Sequence, residues 1–114
     1  MTRKKIQGPS HRGVILFLLL ADLLVFWDVL WPWGSRVLSD PNTDLALHFL
    51  WWRQFGFDQM REGNLALWNP HFLCGSPFLG GFQAALLYPV NWMHLLLPLP
   101  LALNLEMILH VFLA

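Results

Sequence analysis

Polar and apolar positions divide this chain unevenly. Residues 1–12, MTRKKIQGPSHR, are polar and hold Arg3, Lys4, Lys5 and Arg12 with no acid among them. Residues 13–31, GVILFLLLADLLVFWDVLW, are then almost unbroken apolar sequence, interrupted only by Asp22 and Asp28. A helix needs about 20 apolar residues to cross a hydrocarbon core ~30 Å thick, so this run predicts one transmembrane helix. Basic residues precede it and only Arg36 follows closely, which by the positive-inside rule places the N-terminus in the cytoplasm. Trp27, Trp31 and Trp33 would mark the outer interface, and Pro32 with Gly34 would stop the helix. A cleaved signal peptide is the competing reading. It wants a shorter apolar core and a small-residue cleavage site, and Trp-Pro-Trp-Gly offers neither.

Residues 32–100 contain no clean second span. Ser39-Asp40-Pro41 reads as a helix start, with Asp40 as N-cap and Pro41 in the first helical position. The helix would run to about Glu62 and end at Gly63, a typical C′ residue. It is apolar on most sides (Leu45, Leu47, Phe49, Leu50, Trp51, Trp52, Phe55, Phe57), so it is either buried in protein or lies in a membrane interface. Beyond it, Asn69-Pro70, Ser76-Pro77 and Gly80-Gly81 break any regular element. Tyr88–Leu97 predicts a short helix closed by Pro98 and Pro100. From Leu101 to Ala114 the chain is apolar again, too short to span, and reads as the start of a second transmembrane helix. The expected fold is therefore all-α and integral to the membrane. It comprises a basic tail (1–12), one complete transmembrane helix (13–31), a first extracytoplasmic loop with juxtamembrane helices (32–100) and the truncated start of another span (101–114).

Composition supports this expectation. Of 114 residues, 56% are hydrophobic and only 12% charged, with a mean hydropathy of +0.48; soluble domains carry about 25% charged residues. The formal net charge of zero leaves no electrostatic footprint for nucleic acid. The single cysteine, Cys74, excludes an internal disulfide and lacks partners for a zinc site.

Several side chains carry candidate chemistry. Asp44 and His48 are four apart and share a helix face, with Trp51, Trp52 and Phe55 continuing along it. A carboxylate beside an imidazole, rimmed by aromatics, can bind a sugar hydroxyl, act as a base or hold one edge of a metal site. The plainer reading has Asp40 capping the helix and Asp44 favouring its N-terminal dipole. Glu106 and His110 repeat the same spacing, where a paired, neutralised couple is the simplest expectation. Asn91 and His94 sit one turn apart, facing the same cavity as Asp44 on this reading. Asp22, in an apolar helix, points to packing against other helices. Asp58 with Arg61 reads as a local ion pair, and Cys74 as small filler.

Residues 63–91 carry a more specific pattern. Gly63-Asn64-Leu65-Ala66-Leu67-Trp68-Asn69-Pro70, then Cys74-Gly75-Ser76-Pro77-Phe78, then Gln83 and Tyr88-Pro89-Val90-Asn91, resemble the bacterial YfhO-like membrane proteins of the GT-C glycosyltransferase superfamily. Ala66, His71 and Gly81-Phe82 depart from that pattern. The resemblance implies a GT-C-like N-terminal portion of a multi-pass enzyme of the bacterial cytoplasmic (inner) membrane. Its partners would be membrane lipid, the remaining helices of a longer protein and a polyprenyl-phosphate sugar donor. It further implies sugar transfer to an extracytoplasmic acceptor, with an acid of the first loop as general base. Asp44 matches that acid, with Asp40 as the second candidate. His48, Trp68, Asn69, Gln83, Tyr88 and Asn91 would line the substrate site. A divalent metal is compatible with the superfamily, with no ligand set indicated. The alternative is a small membrane-anchored interaction protein without catalytic activity.

Overall fold

The computed structural model describes residues 10–31 and 35–114. Most of the basic tail and the Pro32-Trp33-Gly34 stop signal lie outside the described residues. The first helix, α1 (His11–Val25), begins where Ser10, in an extended conformation, accepts a hydrogen bond from the Gly13 amide at 3.2 Å. Such a cap satisfies one of the four amides a helix start leaves open. Phe26 interrupts the helix with a turn, and one further turn, α2 (Trp27–Leu30), follows.

This overturns the expected architecture. α1 has 15 residues, which at about 1.5 Å per residue is near 22 Å, short of a ~30 Å hydrocarbon core. Among the described residues no helix is long and apolar enough to cross a membrane. The transmembrane helix expected over 13–31, the second span begun at 101 and the multi-pass placement in the cytoplasmic membrane are therefore not supported. The physical reason lies in the break at Phe26. Phe26 and Val29 turn inward and are buried with Ala102 and Leu103 of α4 (Leu99–Leu113). Beyond the break, Asn104 of α4 ties both Val29 and the segment at Arg36 and Leu38 to α4, its amide donating to the carbonyls of Val29 (3.1 Å) and Arg36 (2.7 Å) and its oxygen accepting from Leu38 (3.3 Å).

The aromatic helix is present but starts later than its cap signal. The Asp40 carboxylate accepts from the Asn42 amide at 2.9 Å, closing a turn rather than a helix. Asp44 leads into a π-helical stretch, Leu45–Phe49, continuous with α3 (Leu50–Arg61). Gly63 ends the helix as expected. Its φ is +81°, its amide bonds Met60 and that of Asn64 bonds Gln59, the paired bonds of a Schellman cap.

Two antiparallel two-residue strands follow, β1 (Trp68–Asn69) and β2 (Ser76–Pro77), with Trp68 opposite Pro77 and Asn69 opposite Ser76. Short 3-10 turns at Leu79–Gly81 and Pro89–Leu95 connect this hairpin to α4. One core holds these pieces together. Phe57 of α3 is buried with Ala66, Phe78, Ala84 and Leu86, and Trp52, Phe55 and Leu95 pack around them. Gly56 permits the approach, since a Cβ there would lie 2.6 Å from Leu86 and 2.9 Å from Phe78. The apolar faces of α3 are thus spent mostly on protein contacts.

Candidate functional site

The helical stretch from Leu47 to Phe55 and the hairpin loop face one another across an aromatic groove. The wall from α3 is built at helical spacing. His48 stacks on Trp52 (5.5 Å between ring centres, 23°), and Phe49 meets the same indole edge-on at 5.4 Å. Residues four apart on a helix lie over one another, so this wall follows from local sequence. The facing wall does not. Phe72 meets Trp52 edge-to-face at 5.7 Å, and His71 and Phe78 meet Phe55 at 6.0 and 5.0 Å. Edge-to-face contacts at these distances are the favoured geometry for aromatic rings. They tie the hairpin to the helix.

The hairpin is shaped by residues in unusual conformations. Asn69 accepts from the His71 amide at 2.9 Å, a turn that starts the loop at Asn69-Pro70. Leu73 and Cys74 adopt positive φ (51° and 60°), as does Gly75 (107°). A Cβ on Gly75 would sit 2.7 Å from the Trp68 indole, so glycine is required twice over. Phe82 (55°) and Ala85 (49°) are also left-handed. Non-glycine residues in this region cost roughly 1 kcal/mol or more each and concentrate at functional sites.

The groove comprises two adjoining cavities. The first, of about 310 Å³, is lined by Leu47, His48, Trp51, Trp52, Phe55, Asn69, His71 and Phe72. The second, of about 220 Å³, shares Trp52, Asn69 and Phe72 and adds Ser76, Pro77, Phe78, Gly81 and Gln83. Among the described residues, no Asp, Glu, Lys or Arg lines either one. A surface of aromatic faces and uncharged hydrogen-bonding groups suits a neutral, hydroxyl-bearing ligand and offers no counter-charge to an anion.

The expected site residues are partly brought together. His48 and Asn69 line the first cavity, and Asn69 and Gln83 the second. Asp44 precedes His48 by one helical turn. It is exposed, and its carboxylate has no hydrogen bond among the described residues. Asp40, by contrast, is committed to its own turn. Trp68 lies against Gly75 on the hairpin and does not line the groove. Tyr88 sits elsewhere, its hydroxyl 2.9 Å from His110 Nε2. Because His110 Nδ1 donates to the Glu106 carbonyl at 2.7 Å, Nε2 is the acceptor and Tyr88 the donor. Asn91 is fully buried, donating to the Ala85 carbonyl at 3.1 Å. Among the described residues no group of three or more His, Cys, Asp or Glu side chains is placed to hold a metal.

A second polar cluster was not visible in the sequence. Arg53 of α3 grips Glu106 of α4 with both terminal nitrogens, and its Nη1 lies 3.3 Å from His94 Nε2. His94 is buried against the Phe57 ring (4.9 Å), with Nε2 3.6 Å from Glu106 and Nδ1 unpartnered among the described residues. Burial disfavours the Glu106 carboxylate, but His94 and the Arg53 fork outweigh that cost and hold its pKa below the ordinary carboxylate value. The three residues lie far apart in the chain, so no local spacing announces them. Their role is to lock α3 and the 3-10 turn onto α4.

Comparison of the chain with protein-family models, with curated proteins and with solved structures gives no match.

Proposed function

We propose that this chain binds a sugar in the aromatic groove and presents a sugar hydroxyl for glycosyl transfer, with Asp44 as the general base. The observation that carries the reading is the groove itself. Aromatic rings whose faces stack on pyranose C–H groups surround polar side chains free to bond hydroxyls, with no charge among them. The free carboxylate of Asp44 lies one turn from His48 at its edge. The resemblance of residues 63–91 to sugar transferases supports the same assignment from a separate direction.

In the transfer, the Asp44 carboxylate takes the proton of an acceptor hydroxyl. The oxygen attacks the anomeric carbon of a polyprenyl-phosphate-linked sugar. The bond from that carbon to the phosphate oxygen breaks, and polyprenyl phosphate leaves with the electron pair. The groove serves the acceptor side, because the donor phosphate requires cations that its lining does not contain. The test separates binding from chemistry. Trp51 is 70% exposed, so Trp51→Ala leaves the core intact. It should weaken binding of monosaccharides followed by tryptophan fluorescence at least tenfold. Asp44→Asn should retain binding and lose transfer from a short-chain polyprenyl-phosphate sugar. Unchanged transfer by Asp44→Asn would remove the base assignment, and unchanged binding by Trp51→Ala would remove the groove.

One observation favours the alternative, an interaction protein without catalytic activity. α1 leaves apolar side chains exposed around its circumference, including Ile15, Phe17, Leu24 and Val25. Contiguous apolar surface of this extent marks an interaction site. Loss of a co-purifying partner on Phe17→Glu with Leu24→Glu, with sugar binding absent in the parent chain, would decide for it.

A further inference from the structure

We infer that the groove holds two consecutive sugar units, so that its ligand is a disaccharide or a longer glycan rather than a free monosaccharide. This rests on the sugar-binding reading above and adds to it the second cavity and the residue at its junction with the first. The two cavities are separate volumes, about 310 and 220 Å³, that share a wall of Trp52, Asn69 and Phe72. The first, at about 310 Å³, stands at the lower end of the roughly 300–1,000 Å³ usual for small-molecule sites, and the second, at about 220 Å³, extends it. The Trp52–Phe72 pair, meeting edge-to-face at 5.7 Å, forms the waist between them.

Among the described residues, Trp52, Asn69 and Phe72 line both cavities, and of these Asn69 carries the carboxamide. Its oxygen is already used by the His71 amide, which fixes the orientation of the carboxamide. Its Nδ2 has no hydrogen-bond partner among the described residues. An accessible amide donor on an otherwise buried side chain, held where the two aromatic cavities share a wall, suits a ring or glycosidic oxygen at the junction of two sugar units. In the second cavity, the Ser76 hydroxyl and the Gln83 carboxamide likewise have no side-chain hydrogen bond among the described residues. They stand beside the Phe78 ring. An aromatic floor with planar amide and hydroxyl partners repeats in the second cavity the chemistry of the first. Backbone strain falls where this cavity needs it, since Phe82, at φ 55°, immediately precedes Gln83.

The experiment is a titration series on the whole chain. Glucose, mannose and N-acetylglucosamine are compared with their homodisaccharides and homotrisaccharides by tryptophan fluorescence and calorimetry. At least one disaccharide should bind tenfold or more tightly than its monosaccharide, with little further gain for the trisaccharide. Gln83→Ala, an exposed position, should abolish that gain, so that disaccharide and monosaccharide bind alike. Asn69→Asp, which keeps the oxygen for His71 and removes the donor, should reduce disaccharide affinity more than monosaccharide affinity. Equal affinity for mono- and disaccharides would overturn the two-unit inference while leaving sugar binding in place. A disaccharide gain that survives Gln83→Ala would overturn the assignment of the second cavity. No binding of any sugar would overturn the proposed function itself.

Discussion

Two regions of this molecule carry an acid and an imidazole four residues apart, and the structure treats them in opposite ways. At the start of the aromatic helix, Asp44 and His48 stay at the surface. The carboxylate is free, and the imidazole stacks on Trp52 at the mouth of a groove. On α4, Glu106 ignores His110 as a side-chain partner. It joins Arg53 and His94, brought from α3 and the 3-10 turn, while His110 bonds a backbone carbonyl and Tyr88. The spacing is the same and the chemistry differs because of what packs over each pair. An acid that remains unpaired at the surface is available to a substrate. An acid clamped by a guanidinium fork is part of the scaffold.

Mutations measure that difference. Glu106→Gln leaves the Arg53 guanidinium, 13% exposed, without its counter-charge. Removing one partner of a buried pair costs about 3–5 kcal/mol; the residual exposure puts the expected loss at the lower end, read from urea unfolding. The equivalent change in the other region, Asp44→Asn, should stay within about 0.5 kcal/mol. Similar losses at the two positions would erase the contrast.

Gly56→Ala probes the core beneath the groove. The added methyl meets Leu86 and Phe78 at distances that require them to move, and overpacking of this kind costs about 1–3 kcal/mol. Thermal unfolding should show the loss, accompanied by weakened sugar binding because Phe78 also lines the second cavity. A stable variant with unchanged binding would show that groove and core are independent.

Acid titration discriminates the regions by sign. Glu106 has a folded pKa below its unfolded value, so its contribution is complete above the unfolded carboxylate pKa, about 4.3. It is lost as pH falls from there through the lowered folded value. The parent chain should therefore lose stability in this window more steeply than Glu106→Gln. Parallel curves would detach Glu106 from the acid response. A small effect is expected for Tyr88→Phe, which removes one exposed hydrogen bond to His110. A loss of about 0.5–1 kcal/mol is the usual scale for such a bond; a loss as large as that of Glu106→Gln would place Tyr88 in the scaffold.

Local signals in the sequence were legible where neighbours in the chain decide the outcome. Gly63 ends the helix because only a residue at ease with φ near +81° allows the Schellman bonds. The His48–Trp52 stack follows from helical spacing. Asp58 and Arg61 do pair. The start of the aromatic helix was misplaced, because Asp40 spends its carboxylate on the Asn42 amide and the chain turns once more before Asp44. The apolar run over 13–31 was legible as helical but not in its length. It is interrupted at Phe26, and just beyond the break Asn104 of α4, distant in sequence, holds the Val29 carbonyl.

The sequence by itself determined the helical, aromatic-rich character of the chain and the acid-led helix, but read Asn69-Pro70 and Ser76-Pro77 as breaks where the structure pairs two short strands. Each depends on backbone preference or on side chains within a turn of one another. Tertiary structure alone decided that no described helix is long enough to cross a membrane, that Arg53, His94 and Glu106 form one cluster, and that Asn69 stands between two cavities. Those outcomes depend on pairings across long stretches of chain, whose partners are chosen by packing and burial rather than by spacing.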